Sequence, residues 1–480
     1  MFGLIVRKEL RDILATPRFA ATFAVISLLI LLAFHLAGHS FELAREQYEA
    51  ASTESLRQME GLTDWLDVSP QLMLPPQPLA SLVPGITNDV GRQITVRGLG
   101  TLRASQSRYN EDPILAIFRF LDLEFIFQVV LSLFAILFAF DAVSGEKEQG
   151  TLRLALSNAV PRSTWILGKL CGTGLALTLP LLIPLLAGGL ILLVMGIPMA
   201  AGDWLRLAMV LLAGLLYVGA FLGLSILVSA LTHRSATSFL VLLVLWILAV
   251  LVVPRSAVLL AARSVDVPTV DEGLSQLGRL RSQLWSEDQQ AIGQYLQDNM
   301  SEPDSPDAAN RMVAGFNAFF QERSEARSHQ LEELEVRLAE ARRNRQAVQE
   351  KLAFGLARLS PAAAFSIAAT GLADTALALP RHYLDQAKAY REVFERFQKE
   401  KSGGRSSGGI RIAVRVASAD GETPEEEPAI DPRELPAFEY APPSTASVVR
   451  DTAPDLALLA LYNLLFFAGA FVAFLRYDVR

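Results

Sequence analysis

The residues whose types and spacing suggest chemistry lie in one polar stretch between two apolar runs. It begins with Phe140-Asp-Ala-Val-Ser-Gly-Glu-Lys-Glu-Gln-Gly-Thr-Leu-Arg153 and continues through Pro161-Arg-Ser to Lys169. A charge at the bilayer centre costs at least about 2.5–3.5 kcal/mol, so Glu146, Lys147 and Glu148 must lie outside the hydrocarbon. The residues alone leave two interpretations open: a solvated loop between two membrane helices, or an element that docks a partner protein.

The same stretch carries signals for its local structure. Gly150-Thr151 is typical of a turn followed by a helix N-cap, which predicts a short helix over 152–157. Pro161 ends that helix, and Ser163 or Thr164 is predicted to cap the next one.

Several other kinds of chemistry have no support. The sequence contains no G-x-x-x-x-G-K-[ST], no H-E-x-x-H and no G-x-S-x-G, so P-loop ATP binding, metalloprotease and hydrolase functions are not indicated. His35 and His39 have helical i, i+4 spacing without a third ligand beside them, and we predict interfacial histidines, no metal site and no cofactor. The single cysteine, Cys171, excludes an intramolecular disulfide framework.

Composition places these residues in a membrane protein. Of the 480 residues, 51% are hydrophobic and only 19% are charged, which is apolar for a soluble chain. The net charge of −7 is localised, so no nucleic-acid partner is implied. Six apolar segments are long enough to cross a bilayer. The predicted spans are 19–38, 114–140, 170–196, 204–231, 235–263 and 455–475.

The motif Asp141-x-x-Ser-Gly-Glu-Lys-Glu-x-Gly-Thr-Leu, with Pro161-Arg and Gly168-Lys169 downstream, resembles the conserved cytoplasmic segment of ABC-2 type permeases, the membrane subunits of ABC transporters. The resemblance implies a coupling helix that contacts a separate ABC ATPase subunit, which would bind the ATP. It also implies a second permease, as a homo- or heterodimer, in a lipid membrane. The residues implied in coupling are Ser144, Gly145, Glu146, Lys147, Glu148, Gly150, Thr151 and Arg153.

The segments outside the spans extend the resemblance. Residues 1–18 form a predicted amphipathic helix, which in this family is the elbow helix before the first span. Pro75-Pro-x-Pro-Leu-Ala-Ser-Leu-Val and Leu359-Ser-Pro-Ala-Ala-Ala-Phe resemble a subgroup with large extracytoplasmic inserts, here 39–113 and 264–450. The fold implied is an all-α polytopic membrane protein with six transmembrane helices of the type V exporter-like permease.

The inserts have their own patterns. Residues 39–113 combine a helical part with a β-like segment at 93–96, typical of a small folded domain. In 264–450, apolar residues at three- and four-residue spacing predict a long helix that pairs with another as a coiled-coil hairpin. We expect a flexible link at 402–409 and disorder or a surface loop at 421–443.

Ionisable residues also precede the second span. Arg119, Asp122 and Glu124 lie near its outer end, where such groups suggest a functional site. The alternative is an Arg119–Asp122 ion pair at the headgroup level, and this alternative is favoured.

The distribution of basic residues predicts the topology. Lys and Arg concentrate in 1–18, 141–169, the turn 232–234 and the tail 476–480, whereas the short turn 197–203 before the fourth span has one Asp and no base. The positive-inside rule therefore places both termini in the cytoplasm, and the resemblance places the chain in a bacterial inner membrane. The function expected is an ABC-2 permease, an exporter. Two alternatives remain: an ATP-driven mechanotransmitter that acts on an external partner, or a membrane scaffold without an ATPase.

Overall fold

The computed structural model describes residues 2–96, 102, 104–107, 121–152, 161–299, 306–402 and 429–476. Within this part of the chain, six helices are long and apolar enough to cross a membrane. They are Pro17–Arg57, Leu123–Glu148, Arg162–Val194, Ala201–Leu231, Ser235–Ser264 and Thr445–Leu475. The prediction of an all-α polytopic protein with six spans is confirmed. The predicted features at 108–120, 153–160, 403–428 and 477–480 lie outside the described residues.

The elements follow in chain order. The N-terminal part contains α1 (Phe2–Leu14), α2 (Pro17–Arg57), β1 (Gln71–Met73), α3 (Pro78–Leu82), β2 (Gln93–Thr95) and β3 (Ala104–Ser105). The middle spans are α4 (Leu123–Phe125, Ile126–Leu131 and Ser132–Ala139 in succession), α5 (Ser144–Glu148), α6 (Arg162–Val194), α7 (Ala201–Leu231) and α8 (Ser235–Ser264). The remaining helices are α9 (Val270–Asn299), α10 (Pro306–Ala357), α11 (Pro361–Leu372), α12 (Ala378–Lys401) and α13 (Thr445–Leu475).

The first span is part of a much longer helix than its apolar segment requires. Thr16 caps α2 by accepting a hydrogen bond from the Phe19 amide (3.2 Å), and Pro17 occupies the first helical position, where its missing N–H costs nothing. The helix then runs for 41 residues, or about 60 Å at 1.5 Å per residue. Because a bilayer core is about 30 Å thick, roughly half of α2 projects beyond it.

The apolar core of the bundle is built around α7 and contains a helix that the sequence interpretation placed elsewhere. Tyr217 of α7 stacks on Phe365 of α11 (centroids 5.1 Å apart), and Phe127 of α4 lies 5.8 Å from the same ring. All three aromatic rings are completely buried. The sequence interpretation assigned 264–450 to one external segment, whereas the structure packs α11 against the spans. Its run of Pro, Ala and Phe, with few large side chains, allows this close approach.

A π-helical turn in α4 is stabilised by side chains from other helices. Residues Ile126–Leu131 adopt this wider turn, which leaves backbone carbonyls without their usual partners. The Tyr217 hydroxyl donates to the Gln128 carbonyl (2.9 Å). The Trp246 indole N–H of α8 donates to the Ser132 hydroxyl just beyond the turn (2.8 Å).

A second core joins the two soluble segments into one domain. The antiparallel sheet β1-β2-β3 packs on α12, with Ile94, Tyr383 and Phe394 fully buried between them. The Tyr383 hydroxyl donates to the Leu72 carbonyl at 2.8 Å. The strand at 93–95 agrees with the predicted β segment, but the sequence did not indicate that residues 300 positions apart share this core.

Besides the bundle and the second core, the protein contains a helical hairpin. α9 packs beside the outer part of α10, and the end of α8 packs beside its inner part. α10 extends for 52 residues, about 78 Å. Near the far end, Tyr295 of α9 stacks on Phe319 of α10 (4.5 Å). Arg323 of α10 lies 3.0 Å from the buried Asp288 carboxylate of α9. The predicted hairpin is therefore present.

Candidate functional site

The polar stretch singled out by the sequence forms a short helix, α5, docked on the turn between α7 and α8. The backbone amides of Val143 and Ser144 both donate to the Ser229 hydroxyl of α7, at 3.0 and 2.9 Å. The first amides of a helix have no partner within it, so a buried hydroxyl from a neighbouring span satisfies them. The Ser144 and Ser229 side chains are fully buried and bonded to each other (3.1 Å).

Two charged residues of α5 form hydrogen bonds with the end of α7 and the start of α8. The Lys147 ammonium donates to the Ala230 carbonyl and to the Thr232 carbonyl (3.1 Å) at the end of α7. The Glu148 carboxylate accepts from the backbone amide (3.1 Å) and hydroxyl (3.0 Å) of Ser235 at the start of α8. A cation at a helix C-terminus and an anion at an N-terminus are both favourable with the helix dipole. The polar stretch and the 232–235 turn are far apart in the sequence, but in the structure they lie side by side and form one surface.

Glu146 belongs to a buried ion cluster, which we call the Lys169 cluster: Glu9, Glu146 and Lys169. The Lys169 ammonium lies 2.8 Å from Glu146 and 3.0 Å from Glu9. Its side chain is only 5% exposed, and it lies over the Trp165 ring at 5.0 Å. The exposed Lys8 is a more distant neighbour of Glu146, at 3.8 Å. One cation thus joins α1, α5 and α6.

Helix α1 approaches α6 closely because two glycines leave room for it. A Cβ atom at Gly168 would lie 2.7 Å from the Ile5 side chain, and one at Gly172 would lie 2.7 Å from the Cβ of Glu9. These glycines are four residues apart and share one face of α6. Their small size lets Glu9 reach Lys169.

The outer edge of α5 is exposed. Glu148, Gln149, Gly150 and Thr151 form a continuous exposed turn, and Gly150 has φ +75°, which favours glycine. The predicted turn is therefore present. The Thr151 hydroxyl donates back to the Glu146 carbonyl (3.4 Å). Gly145 lies on the inner side near Asp141, and Arg153 lies outside the described residues.

The predicted cap of the next helix is wrong. The last non-helical residue before α6 is Pro161, and Ser163 and Thr164 lie within the first turn. Pro161 is extended at this boundary, with φ −60° and ψ 132°, and no side chain caps the helix.

The second polar group predicted from the sequence comprises Arg119, Asp122 and Glu124, and the structure describes the last two of these residues. Arg119 lies outside the described residues, so the predicted Arg119–Asp122 pair stays a prediction. Asp122 caps α4 by accepting from the Phe125 amide (2.6 Å). Glu124 accepts from the Ser366 hydroxyl of α11, and the Gln128 amide lies 3.5 Å from the Ala362 carbonyl of the same helix. Glu124 and Gln128 therefore connect the second span to α11.

Sequence reasoning missed two residues of the site. Glu9 is one of two acids, with Asp12, in the amphipathic helix, and its i±4 spacing from the apolar Ile5 and Ile13 was the available signal. Ser229 lies in an apolar run with nothing to distinguish it from the other hydroxyls of the spans.

The fold and this site define a six-span membrane protein with a polar element docked between spans at one end of the bundle. A family model described as "ABC-2 family transporter protein" matches residues 4–479. The chain belongs to this family, as the motif indicated, and it is the membrane component of an ABC-type transporter rather than the catalytic one. No curated protein matches the chain.

Proposed function

We propose that this chain is the permease subunit of an ABC exporter, and that the exposed turn at 148–151 receives the motion of a separate ATPase subunit. The support is one observation: the helix that carries this turn is connected to four others. Ser229 and Lys147 hold it to α7, Glu148 to α8, and the Lys169 cluster to α1 and α6.

Such connections make α5 suited to transmit force. The contacts are buried or charge-assisted, and interactions of this kind hold their geometry better than exposed neutral ones. A displacement of the exposed turn would therefore move the ends of several spans together rather than bend one loop. Rigid-body motion of packed helices is a common form of such transitions. Nucleotide binding and hydrolysis in the partner would bias the bundle between two arrangements.

The proposal includes the assembly and its orientation. The basic side chains near this end, among them Lys8 and Arg234, are exposed and favour a cytoplasmic location by the positive-inside rule. The termini would then be cytoplasmic, the α9–α10 hairpin external, and the membrane a bacterial inner membrane. A second permease, identical or related, would complete the transporter.

The test begins with the ATPase that co-purifies with the tagged chain from native membranes. Gln149 is exposed on the turn and makes no side-chain hydrogen bond to the described residues, so Gln149→Trp changes the surface and not the internal contacts. We expect the variant to lose ATPase recovery and stimulation by at least about tenfold, equivalent to about 1.4 kcal/mol of binding. Gln290→Trp, on the exposed surface of α9, is the matched control. Equal recovery with both variants would rule out the turn as the contact.

A second candidate, mechanotransmission to an external partner, is favoured by the base of the hairpin. Arg358, just after α10, forms a bidentate ion pair with Asp455 of α13, with hydrogen bonds of 2.6 and 3.0 Å. The Ser360 hydroxyl donates to the Ala249 carbonyl of α8. The roughly 78 Å helix α10 is thus fixed to two spans, and small tilts at its base become large displacements at its tip.

Distance measurements distinguish the two functions. Spin labels at Gln290 of the hairpin and at the exposed Glu46 of α2 would report a nucleotide-dependent change in distance if the hairpin follows a tilt of α8 and α13. An unchanged distance across the nucleotide cycle, with ATPase activity intact, would exclude mechanotransmission and leave transport.

A further inference from the structure

A cavity of about 500 Å³ lies between the projecting half of α2 and the domain that contains the sheet. Every turn of α2 from Leu36 to Glu54 contributes to its wall, a length of about 27 Å at 1.5 Å per residue. The opposite wall is the segment from Met73 to Asn88. The volume lies within the range of small-molecule sites, about 300–1,000 Å³, and the elongated shape suits a chain-like molecule.

One end of the cavity is apolar and continuous with the membrane part of the protein. Leu36 and Ala37 lie in the last turns of the predicted first span, and Leu121 lies immediately before the second. Phe41, one turn further along α2, is 5% exposed and belongs to the core of the bundle. A molecule in this end of the cavity would therefore contact the same apolar surface as the lipid chains around the spans.

The other wall contains polar side chains that lack partners. Asn88 lines the cavity and is only 7% exposed, yet its amide makes no hydrogen bond to the residues that the structure describes. The hydroxyl of neighbouring Thr87, which also lines the cavity, is buried and has no hydrogen-bond partner within the described part of the chain. An unsatisfied buried polar group costs about 1–3 kcal/mol, and a ligand in the cavity would offer a partner to the Thr87 hydroxyl and to the Asn88 amide beside it.

The charges of the wall restrict the ligand. Of the described residues that line the cavity, only Glu54 and Arg92 are charged, one of each sign. Their charges cancel, so the wall does not select a net anion or cation. Its polar members are mainly amides and hydroxyls, which donate and accept hydrogen bonds with neutral groups.

We propose that this cavity binds an amphiphile from the lipid layer. Its alkyl chain lies along α2 from Leu36 to Ala44, and its uncharged or zwitterionic head group bonds to Asn88. The apolar chain gains its free energy by leaving water, and the head group supplies a hydrogen-bond partner to the Asn88 amide, which has none among the described residues. The proposal rests on the cavity alone and is independent of ATPase coupling.

Photolabelling of the full chain tests this site. The protein is placed in phosphatidylglycerol nanodiscs, whose anionic lipids lie outside the proposed ligand class, with a monopalmitoylglycerol that carries a diazirine in its chain. The labelled peptides are identified by mass spectrometry. We expect saturable labelling within 36–54 or 73–88 that unlabelled monopalmitoylglycerol displaces. Labelling that does not saturate, or that an apolar peptide displaces while the lipid does not, would overturn the proposal.

Two test variants and one control variant separate the site from the general lipid surface. Ala44→Trp fills the cavity from α2, and we expect it to abolish labelling; Glu46→Trp, on the exposed face of the same helix, is the control and leaves labelling unchanged. Asn88→Leu keeps the volume and removes the amide, so half-saturation moves to an about tenfold higher probe concentration. Unchanged half-saturation in Asn88→Leu, or equal labelling of both tryptophan variants, would contradict the proposed site.

Discussion

Replacing Lys169 with methionine tests whether one buried cation holds the candidate coupling element in place. The substitution removes the charge and keeps a side chain of similar length. It leaves Glu9 and Glu146, whose side chains are 11% and 17% exposed, facing each other without the cation between them. At 2.8 and 3.0 Å, each attraction in the wild type is about 5–6 kcal/mol at an effective dielectric constant of about 20. Much of this is offset by the cost of desolvating the three ions.

The net effect follows from what remains after the change. Removing one partner of a buried ion pair costs about 3–5 kcal/mol, because the other partner stays buried and unpaired. The unfolding entropy of about 2.1 cal/mol/K per residue gives about 1 kcal/mol/K for 480 residues, so we expect Tm to fall by about 3–5 °C. Thermal unfolding of the purified protein, followed by size-exclusion chromatography, measures this shift.

The controls distinguish the ion cluster from a general effect of the substitution. Lys8→Met removes a cation that is 62% exposed and 3.8 Å from Glu146, and Tm should change by less than about 1 °C. The triple variant Lys169→Met with Glu9→Gln and Glu146→Gln removes all three charges, and most of the lost stability should return. If Lys169→Met melts like the wild type, or the triple variant is no better than the single one, the cluster does not hold α5.

Two further changes test the bundle interior and its junction with the domain that contains the sheet. Phe365→Ala removes a fully buried ring between Tyr217 and Phe127, and it should lower stability by about 3–5 kcal/mol, measured as a lower Tm, whereas exposed Leu359→Ala should have little effect. Burial raises the pKa of Asp374 to about 6, against the opposing effects of Arg206 and His382. The folded state therefore holds a proton that the unfolded state releases near pH 4, and stability falls as pH rises from about 4 to 6. Asp374→Asn should remove this dependence, so a constant Tm difference from wild type over this range would contradict the assignment.

The spans could be predicted because their signal is local. A helix that crosses lipid must be apolar for about 20 consecutive residues, and each of the six segments shows this without reference to any other. The turn at Gly150 could be predicted for the same reason, since only glycine adopts its positive φ without strain. The Lys-Glu pattern indicated a polar element at the membrane surface because burying such charges in lipid is costly.

The contacts of that element could not be predicted. Nothing in the sequence pairs Glu9 with Lys169 across 160 positions, or Ser229 with the amides of Val143 and Ser144. These partners are set by which helices lie side by side, and helix packing depends on small residues such as Gly168 and Gly172 whose role is visible only in place.

The sequence by itself determined the class of protein, the six spans and the place of the polar element, because hydrophobicity, charge and turn preference act over short stretches of chain. Only the tertiary structure decided that α11 packs among the spans, that the sheet and α12 share one core, and that Asn88 lines a cavity beside α2. Each of these depends on long-range packing, where the free energy belongs to pairs of residues that no local pattern brings together.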